Sequence, residues 1–329
     1  MHRREFLEIA AGIATASTLA ACAPQVSRRS AIAARPLDAA AFHRERRFQP
    51  LPQGRIAYLE RGQGSAALFL HGFPLNGFQW RGAIERLAPY RRCIAPDFLG
   101  LGYTEPADGQ SCAPEAQVEM LVALLDALAV PAADVIANDS GGQAAQLLVA
   151  HHPGRVRSLL LTNCDAENDS PPPALEPVIE LAQRGEFVDR WLAPWRADPV
   201  LARSAEGIGG MCYSDPAHPT DAAVETYFAP LIDSPRRKSQ THAYAIALQR
   251  NPLLGIAPAL QRFAGPVRIV WGTEDDIFSP ASPDFLDRAF GNSLGVRRLA
   301  GRKLFWPEEL PDVIAAEALA LWHGDRRHA

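Results

Sequence analysis

The sequence around Asp139 brings an acidic and a hydroxyl side chain to the point where an apolar run gives way to a helical pattern. A strained strand-to-helix turn of this kind exposes one side chain and needs small residues two positions before and after it. With Asp139 exposed, those positions hold Ala137 and Gly141. With Ser140 exposed, the earlier position would hold the larger Asn138. The spacing therefore favours a nucleophilic carboxylate at Asp139.

The elements that must position this turn alternate between short apolar runs and helical periodicity, which is present at 117–128 and 143–151. Several runs are apolar at successive positions, as in strands covered on both faces. Alternating strands and helices predict an α/β fold with a mostly parallel sheet and helices on both faces. The predicted strands are Ile56–Leu59, Ala67–Leu70, Cys93–Ala95, Val135–Ala137, Ser158–Leu161 and Val267–Trp271.

The alternation stops after Leu161 and resumes at Val267. The residues between them include three consecutive prolines and several short, aromatic-rich helical stretches without a convincing strand. We therefore expect a core in two parts, residues 48–165 and 263–329, with an inserted helical cap at 166–262.

Residues 1–22 have the features of an export signal. Paired arginines, Arg3 and Arg4, precede the uncharged apolar stretch Ile9–Ala21. That stretch is shorter than the roughly 20 residues that a membrane-spanning helix needs, and it is typical of a signal peptide. The arginine pair resembles a twin-arginine signal, which predicts export to the periplasm.

The signal ends at Cys22, in a Leu-Ala-Ala-Cys sequence that resembles a lipobox. Acylation of this cysteine would attach the protein to a membrane, whereas cleavage at the overlapping small-residue site would release it. The Ala-, Arg-, Ser- and Pro-rich residues 23–47 are predicted to form a flexible tether.

The composition of the 329-residue chain excludes several classes of protein. Apolar residues make up 47%, and 33 basic against 37 acidic residues give a net charge of −4, which argues against a disordered chain or a nucleic-acid binder. The five cysteines are widely spaced, without a disulfide or zinc-ligand pattern. With no phosphate-binding or dinucleotide motif and no metal-ligand pattern, the sequence implies no cofactor and no metal, and it leaves the oligomeric state open.

Three segments carry a family resemblance: the turn at Asp139, the His-Gly-Phe-Pro sequence at 71–74, and Pro96–Thr104. In this order and spacing they resemble the α/β-hydrolase superfamily over about Phe48–Ala166 and Gly265–Trp322. His-Gly-Phe-Pro together with an aspartate nucleophile is similar to the epoxide hydrolase and haloalkane dehalogenase branch.

The resemblance implies a hydrolase of a small, largely apolar electrophile, such as an epoxide, a haloalkane or an ester. The Asp139 carboxylate would attack carbon and form an alkyl ester, which a histidine-activated water then hydrolyses. The backbone N–H groups of Phe73 and Ser140 would hold the oxyanion. In epoxide hydrolases, cap tyrosines donate a proton to the epoxide oxygen; Tyr213 and Tyr244 are the candidates, although cap aromatics also simply pack.

The resemblance places the acid that orients the histidine at Asp275, since Trp-Gly-x-x-Asp resembles the acid turn of the superfamily. Asp276 and Asp165 are alternatives, and each of the three could be an ordinary turn aspartate.

The histidine itself is missing. Counting back from Glu309 and Pro311, its usual position holds Leu304, whose side chain cannot transfer a proton. Two of the nine histidines, His218 and His242, lie in the cap, from which a side chain can reach the site, and we predict His242 as the substitute base.

Three other functions remain open at this point. A serine esterase would use Ser140, a binding or non-hydrolytic protein on a hydrolase scaffold would explain Leu304, and a lyase or isomerase would need no activated water.

Overall fold

The computed structural model describes residues 36–324. The predicted signal peptide, Cys22 and the tether up to residue 35 lie outside this part. A nine-stranded sheet with the order β1-β2-β4-β3-β6-β7-β8-β9 forms the core, and β5 pairs with β2. The strands are β1 (Arg47–Leu51), β2 (Gly54–Arg61), β3 (Ala66–Leu70), β4 (Arg92–Pro96), β5 (Glu105–Pro106), β6 (Ala133–Asn138), β7 (Val156–Thr162), β8 (Val267–Gly272) and β9 (Ser293–Leu299).

Neighbouring strands pair in parallel along the run β4-β3-β6-β7-β8-β9, whereas β1, β2 and β5 form antiparallel pairs at one edge. Every residue of β3 and β6 is buried, because helices cover both faces of the central sheet. The helices are α1 (Ala39–Glu45), α2 (Arg81–Leu87), α3 (Pro114–Ala127), α4 (Ser140–His151), α5 (Glu176–Gln183), α6 (Ala193–Ala197), α7 (Pro199–Arg203), α8 (Ile208–Cys212), α9 (Asp221–Ile232), α10 (Pro235–Ala247), α11 (Ala257–Arg262), α12 (Ser282–Ala289), α13 (Trp306–Glu309) and α14 (Pro311–Gly324).

The predicted α/β fold is confirmed, and all six predicted strands lie within observed ones, namely β2, β3, β4, β6, β7 and β8. The predicted helical segments 117–128 and 143–151 fall on α3 and α4. The sequence missed β1, β5 and β9. No residue of β9 is buried, so this edge strand lacks the apolar run that revealed the others.

The chain between β7 and β8 folds into helices α5 to α11 and a π-helical turn at Val188–Leu192. This helical stretch occupies the position expected for the cap at 166–262. Its apolar residues continue the buried cluster of the core, with Phe187, Tyr227 and Phe228 all within 1% of complete burial.

The prediction of a flexible tether is wrong for its last residues. Helix α1 begins after Asp38, whose carboxylate accepts a hydrogen bond from the Ala41 N–H at 2.7 Å. Leu37 and Phe42 are both 1% exposed, and the Phe42 ring lies 5.1 Å from that of Phe78. The apolar face of α1 therefore belongs to the core.

No helix within residues 36–324 is both long and apolar enough to span a membrane. The four cysteines in this range, Cys93, Cys112, Cys164 and Cys212, are buried and unpaired in disulfides.

Candidate active site

The turn between β6 and α4 has the strained geometry expected from the sequence. Asp139 has φ of +55° and ψ of −134°. This backbone conformation is energetically unfavourable for any residue other than glycine. A Cβ atom on Gly141 would lie 2.4 Å from the carbonyl oxygen of Leu70, so only glycine fits two residues later. The turn therefore presents the Asp139 carboxylate at the carboxyl edge of the sheet.

Two backbone N–H groups hold this carboxylate. Ser140 N–H donates to Oδ1 at 2.5 Å, and Phe73 N–H donates to Oδ2 at 3.2 Å. The loop that carries Phe73 follows β3, which pairs with β6 through Leu70 and Ala137, so both loops leave the sheet side by side. Both groups predicted as oxyanion donors thus contact the predicted nucleophile.

Burial is the main reason that the pKa of Asp139 is raised well above its usual value. The negative charge of Asp165 raises this pKa further, and the two N–H donors oppose the shift.

A cavity of about 100 Å³ adjoins Asp139. Asp139 and Asp165 are the carboxylates that line it, and most of the remaining wall is apolar. Such a site suits a small apolar ligand with few polar groups. The other lining residues are Phe73, Pro74, Pro172, Ala174, Leu175, Val178, Phe187, Trp191, Trp195, Ile208, Met211, Cys212, Leu248, Ile277, Phe278 and Leu304.

Leu304 lines the same cavity as Asp139 and is 2% exposed. Its carbonyl oxygen accepts a hydrogen bond from Asn138 Nδ2 at 3.1 Å, next to the nucleophile turn in the sequence. Position 304, where the family resemblance places a histidine, therefore lies beside Asp139 as expected. The leucine side chain at this position cannot accept or donate a proton.

Asp275 does not line the cavity. Its Oδ2 accepts from Asn163 Nδ2 at 2.8 Å, and its Oδ1 accepts from the Ile277 N–H at 2.9 Å. Burial raises the pKa of Asp275 to about 6. Asn163 Oδ1 in turn accepts from Trp306 Nε1 at 3.0 Å. Asp275, the predicted orienting acid, is thus hydrogen-bonded to Asn163 and not to a histidine. The sequence motifs did not reveal this partner.

His242 is also absent from the cavity wall. Its Nε2 accepts a hydrogen bond from the Val188 N–H at 3.2 Å, and burial lowers its pKa. His71 is fully buried, with Nε2 bonded to the Phe98 N–H at 3.1 Å and a pKa lowered to about 4 by desolvation. The structure therefore does not bring His242 together with Asp139, and no histidine is among the residues around this cavity.

Asp165, an alternative acid in the sequence, does face the cavity. Its Oδ1 accepts from Ser170 Oγ at 2.8 Å and from Gln143 Nε2 at 3.3 Å. Burial raises the pKa of Asp165 to about 7, although these donors partly oppose the rise.

The two cap tyrosines bond away from the cavity. Tyr244 Oη donates to Ser140 Oγ at 3.0 Å, and neither residue lines the cavity. Tyr213 Oη donates to Glu308 Oε2 at 2.7 Å and is likewise outside the wall. Because Ser140 does not line the cavity that Asp139 lines, the geometry does not favour the serine esterase alternative.

Glu308 joins the cap to the core in a buried cluster. Its Oε2 accepts from Tyr213 of the cap at 2.7 Å and from Tyr227 of α9 at 2.8 Å. Its Oε1 pairs with Arg81 of α2 at 2.7 Å, and the Glu308 side chain is 1% exposed.

Replacing Glu308 with glutamine is expected to destabilise the protein by about 3 kcal/mol, because Arg81 would keep its charge and its hydrogen bond to the Phe78 carbonyl but lose its ionic partner at a largely buried site. Denaturant unfolding measures this change. Glu225→Gln is the matched control: Glu225 pairs with Arg196 but is 57% exposed, so its loss should cost at most about 1 kcal/mol. Equal stability of the two variants would contradict a structural role for the cluster.

Residues 68–309 match the family model described as the alpha/beta hydrolase fold. The chain is 26% identical over 277 residues to haloalkane dehalogenase 2 of Mycobacterium tuberculosis, covering 83% of this chain and 93% of that protein. It is 41% identical over 106 residues to 2-hydroxymuconate semialdehyde hydrolase of Pseudomonas sp. strain CF600, covering 31% of this chain and only 37% of that enzyme. An epoxide hydrolase structure without ligand superposes with a TM-score of 0.68 at 20% identity, covering 85% of this chain and 98% of the other.

Proposed function

The chain belongs to the alpha/beta hydrolase fold family and is a hydrolase, and on that basis we propose that it acts on a small, largely apolar electrophile through an alkyl ester of Asp139. One observation carries this proposal. The Asp139 carboxylate lies on a strained turn at an apolar cavity, with a backbone N–H on each of its oxygens.

The first step is a displacement at saturated carbon. A carboxylate oxygen of Asp139 forms a bond to the carbon, the bond from that carbon to its leaving group breaks, and the leaving group departs with the electron pair. In its ionised form the Asp139 carboxylate needs no base for this attack. The apolar wall excludes water from the Asp139 carboxylate, and a carboxylate that is less solvated is a stronger nucleophile.

The leaving group in this proposal is a halide. An epoxide oxygen needs a proton as the ring opens, and the two cap tyrosines that the sequence offered as donors, Tyr213 and Tyr244, are bonded elsewhere and do not line the cavity. The function proposed here assigns no proton donation to the other lining group that titrates near neutral pH, Asp165. A halide ion leaves without a proton. Trp191 and Trp195 supply indole rings to the cavity wall, and an indole N–H can donate to an anion. The relative named haloalkane dehalogenase 2 agrees with this choice.

A single-turnover experiment with bromobutane tests the ester. The protein is used in excess over substrate, in water enriched in the heavy oxygen isotope. Water that attacks the ester carbonyl leaves its oxygen in the carboxylate, so the label should appear on the peptide that contains Asp139 and not in the butanol.

The same reaction in ordinary water is the control. Heavy oxygen found in the butanol after one turnover would mean that water attacks the substrate directly, and the ester proposal would fail.

A further inference from the structure

Asp165 lies close to the nucleophile because of the sheet topology. Strands β6 and β7 are parallel neighbours, paired through Asn138 and Thr162, and each aspartate follows the carboxyl end of its strand. Asp165 is 4% exposed and lines the same cavity as Asp139. The negative charge of Asp165 raises the pKa of Asp139, and only burial raises this pKa more.

An alkyl ester at Asp139 needs a group that can take a proton from water. The Leu304 side chain cannot do so, and His242 bonds to the backbone outside the cavity. The cavity wall also contains the Cys212 thiol, but burial raises its pKa well above the usual value, so it stays protonated. Asp165 is thus the lining side chain that can exchange a proton near neutral pH.

We propose that Asp165 is the base that activates water against the Asp139 ester, a role that rests on the function proposed above. A proton passes from water to the Asp165 carboxylate as the water oxygen bonds to the ester carbon. The carbonyl electrons move onto the oxyanion, which the N–H groups of Phe73 and Ser140 can hold. When the intermediate collapses, the alkyl oxygen leaves and takes the proton back from Asp165, so the alcohol is released and Asp165 is a carboxylate again. Asp139 is left as a carboxylic acid, and its proton, which is the second proton of the attacking water, passes to solvent before the next turnover.

The surroundings of Asp165 suit this role. Four titratable side chains interact with Asp165. They are Asp139 on the nucleophile turn, Cys164 and Asp169 on the loop that carries Asp165, and Tyr244 on α10. None of these neighbours is a cation, so burial keeps its pKa near 7. Once the ester has formed, Asp139 carries no charge, and the loss of that repulsion favours the ionised form of Asp165. The base is therefore more readily available at the step that needs it.

The test replaces Asp165 with asparagine and follows bromobutane. We expect a burst of about one bromide per protein molecule, followed by steady-state turnover reduced about 10²–10⁴-fold. Mass spectrometry should show a butyl group retained on the Asp139 peptide. Because the protein must be folded to form this ester, its accumulation separates loss of the base from loss of structure.

Three further variants sharpen the result. Asp165→Glu should restore part of the turnover, since it returns a carboxylate to the cavity. Ser170→Ala removes a donor that lowers the pKa of Asp165, so the rise of turnover with pH should move to higher pH than in the unaltered protein. Asp126→Asn, at a surface carboxylate that is 64% exposed, should behave as the unaltered protein.

Several outcomes would overturn the inference. One is turnover by Asp165→Asn at the unaltered rate without an accumulated ester. Another is an unaltered protein that itself stops after one turnover with its ester intact. In both cases the proposed ester intermediate at Asp139 still stands, and only the role of Asp165 is lost. If neither protein releases bromide or forms an ester, the proposed function fails, and the inference fails with it.

Discussion

Asp139→Asn is expected to abolish halide release, with a loss of turnover of about 10⁴-fold or more, as is usual when a nucleophile is removed. The asparagine amide cannot displace a leaving group from saturated carbon. The fold should survive the change. Burial raises the pKa of Asp139, so its ionised form destabilises the folded protein near neutral pH, and a neutral amide should leave the melting temperature the same or higher.

Bromide release and thermal unfolding, measured on one preparation, check this result. Mass spectrometry must show that the asparagine has not deamidated back to aspartate. Ser140→Ala is the informative comparison, because it keeps the backbone N–H at the turn and removes only the hydroxyl bonded to Tyr244. Its turnover should fall only slightly. The opposite pattern, with Asp139→Asn active and Ser140→Ala inactive, would favour the serine esterase.

Leu304→His in the Asp165→Asn background is expected to raise ester hydrolysis about 10²-fold. The backbone of residue 304 is fixed by Asn138, and its side chain faces the cavity that contains Asp139. An imidazole there is a base near neutral pH, since the ordinary pKa of histidine is about 6.5. Because only the neutral imidazole accepts a proton, the gain should increase with pH through that pKa.

The rate of loss of the butyl ester, followed by mass spectrometry, measures this rescue. Leu304→Gln in the same background is the matched control, with a polar side chain that does not titrate. Equal rates for the histidine and glutamine variants would show that a base at position 304 cannot reach the ester. Asp275 is bonded to Asn163, so it is not free to orient the new imidazole, and the rescue should remain incomplete.

Local patterns in the sequence predicted the central sheet and the strained turn at Asp139. Strands that are buried on both faces leave continuous apolar runs, and a strained turn restricts residue size at fixed spacing, as at Gly141. Helix α1 was missed because only Leu37, Ala41 and Phe42 are buried there, within an alanine-rich segment that has little contrast between its faces.

The pairings inside the site depend on contacts between distant parts of the chain. Asp275 bonds to Asn163, which is 112 residues away in sequence, and no spacing rule relates these two positions. His242 was selected because cap side chains can reach a core site. Its actual partner, the Val188 N–H, depends on how the cap helices pack against each other. The sequence did identify Asp165, but only as an alternative orienting acid.

The Glu308 cluster also limits how ligands reach the cavity. If the cap swung away as a rigid lid, Tyr213 and Tyr227 would both lose their bonds to a buried charged group. Two such bonds contribute about 3 kcal/mol or more, so fewer than about one molecule in a hundred would be open at any moment. Exchange through a closed cap then depends on side-chain movements at the rim, where Trp191 is only half-buried. The width of that passage, more than the chemistry at Asp139, would decide which substrates enter and how quickly products leave.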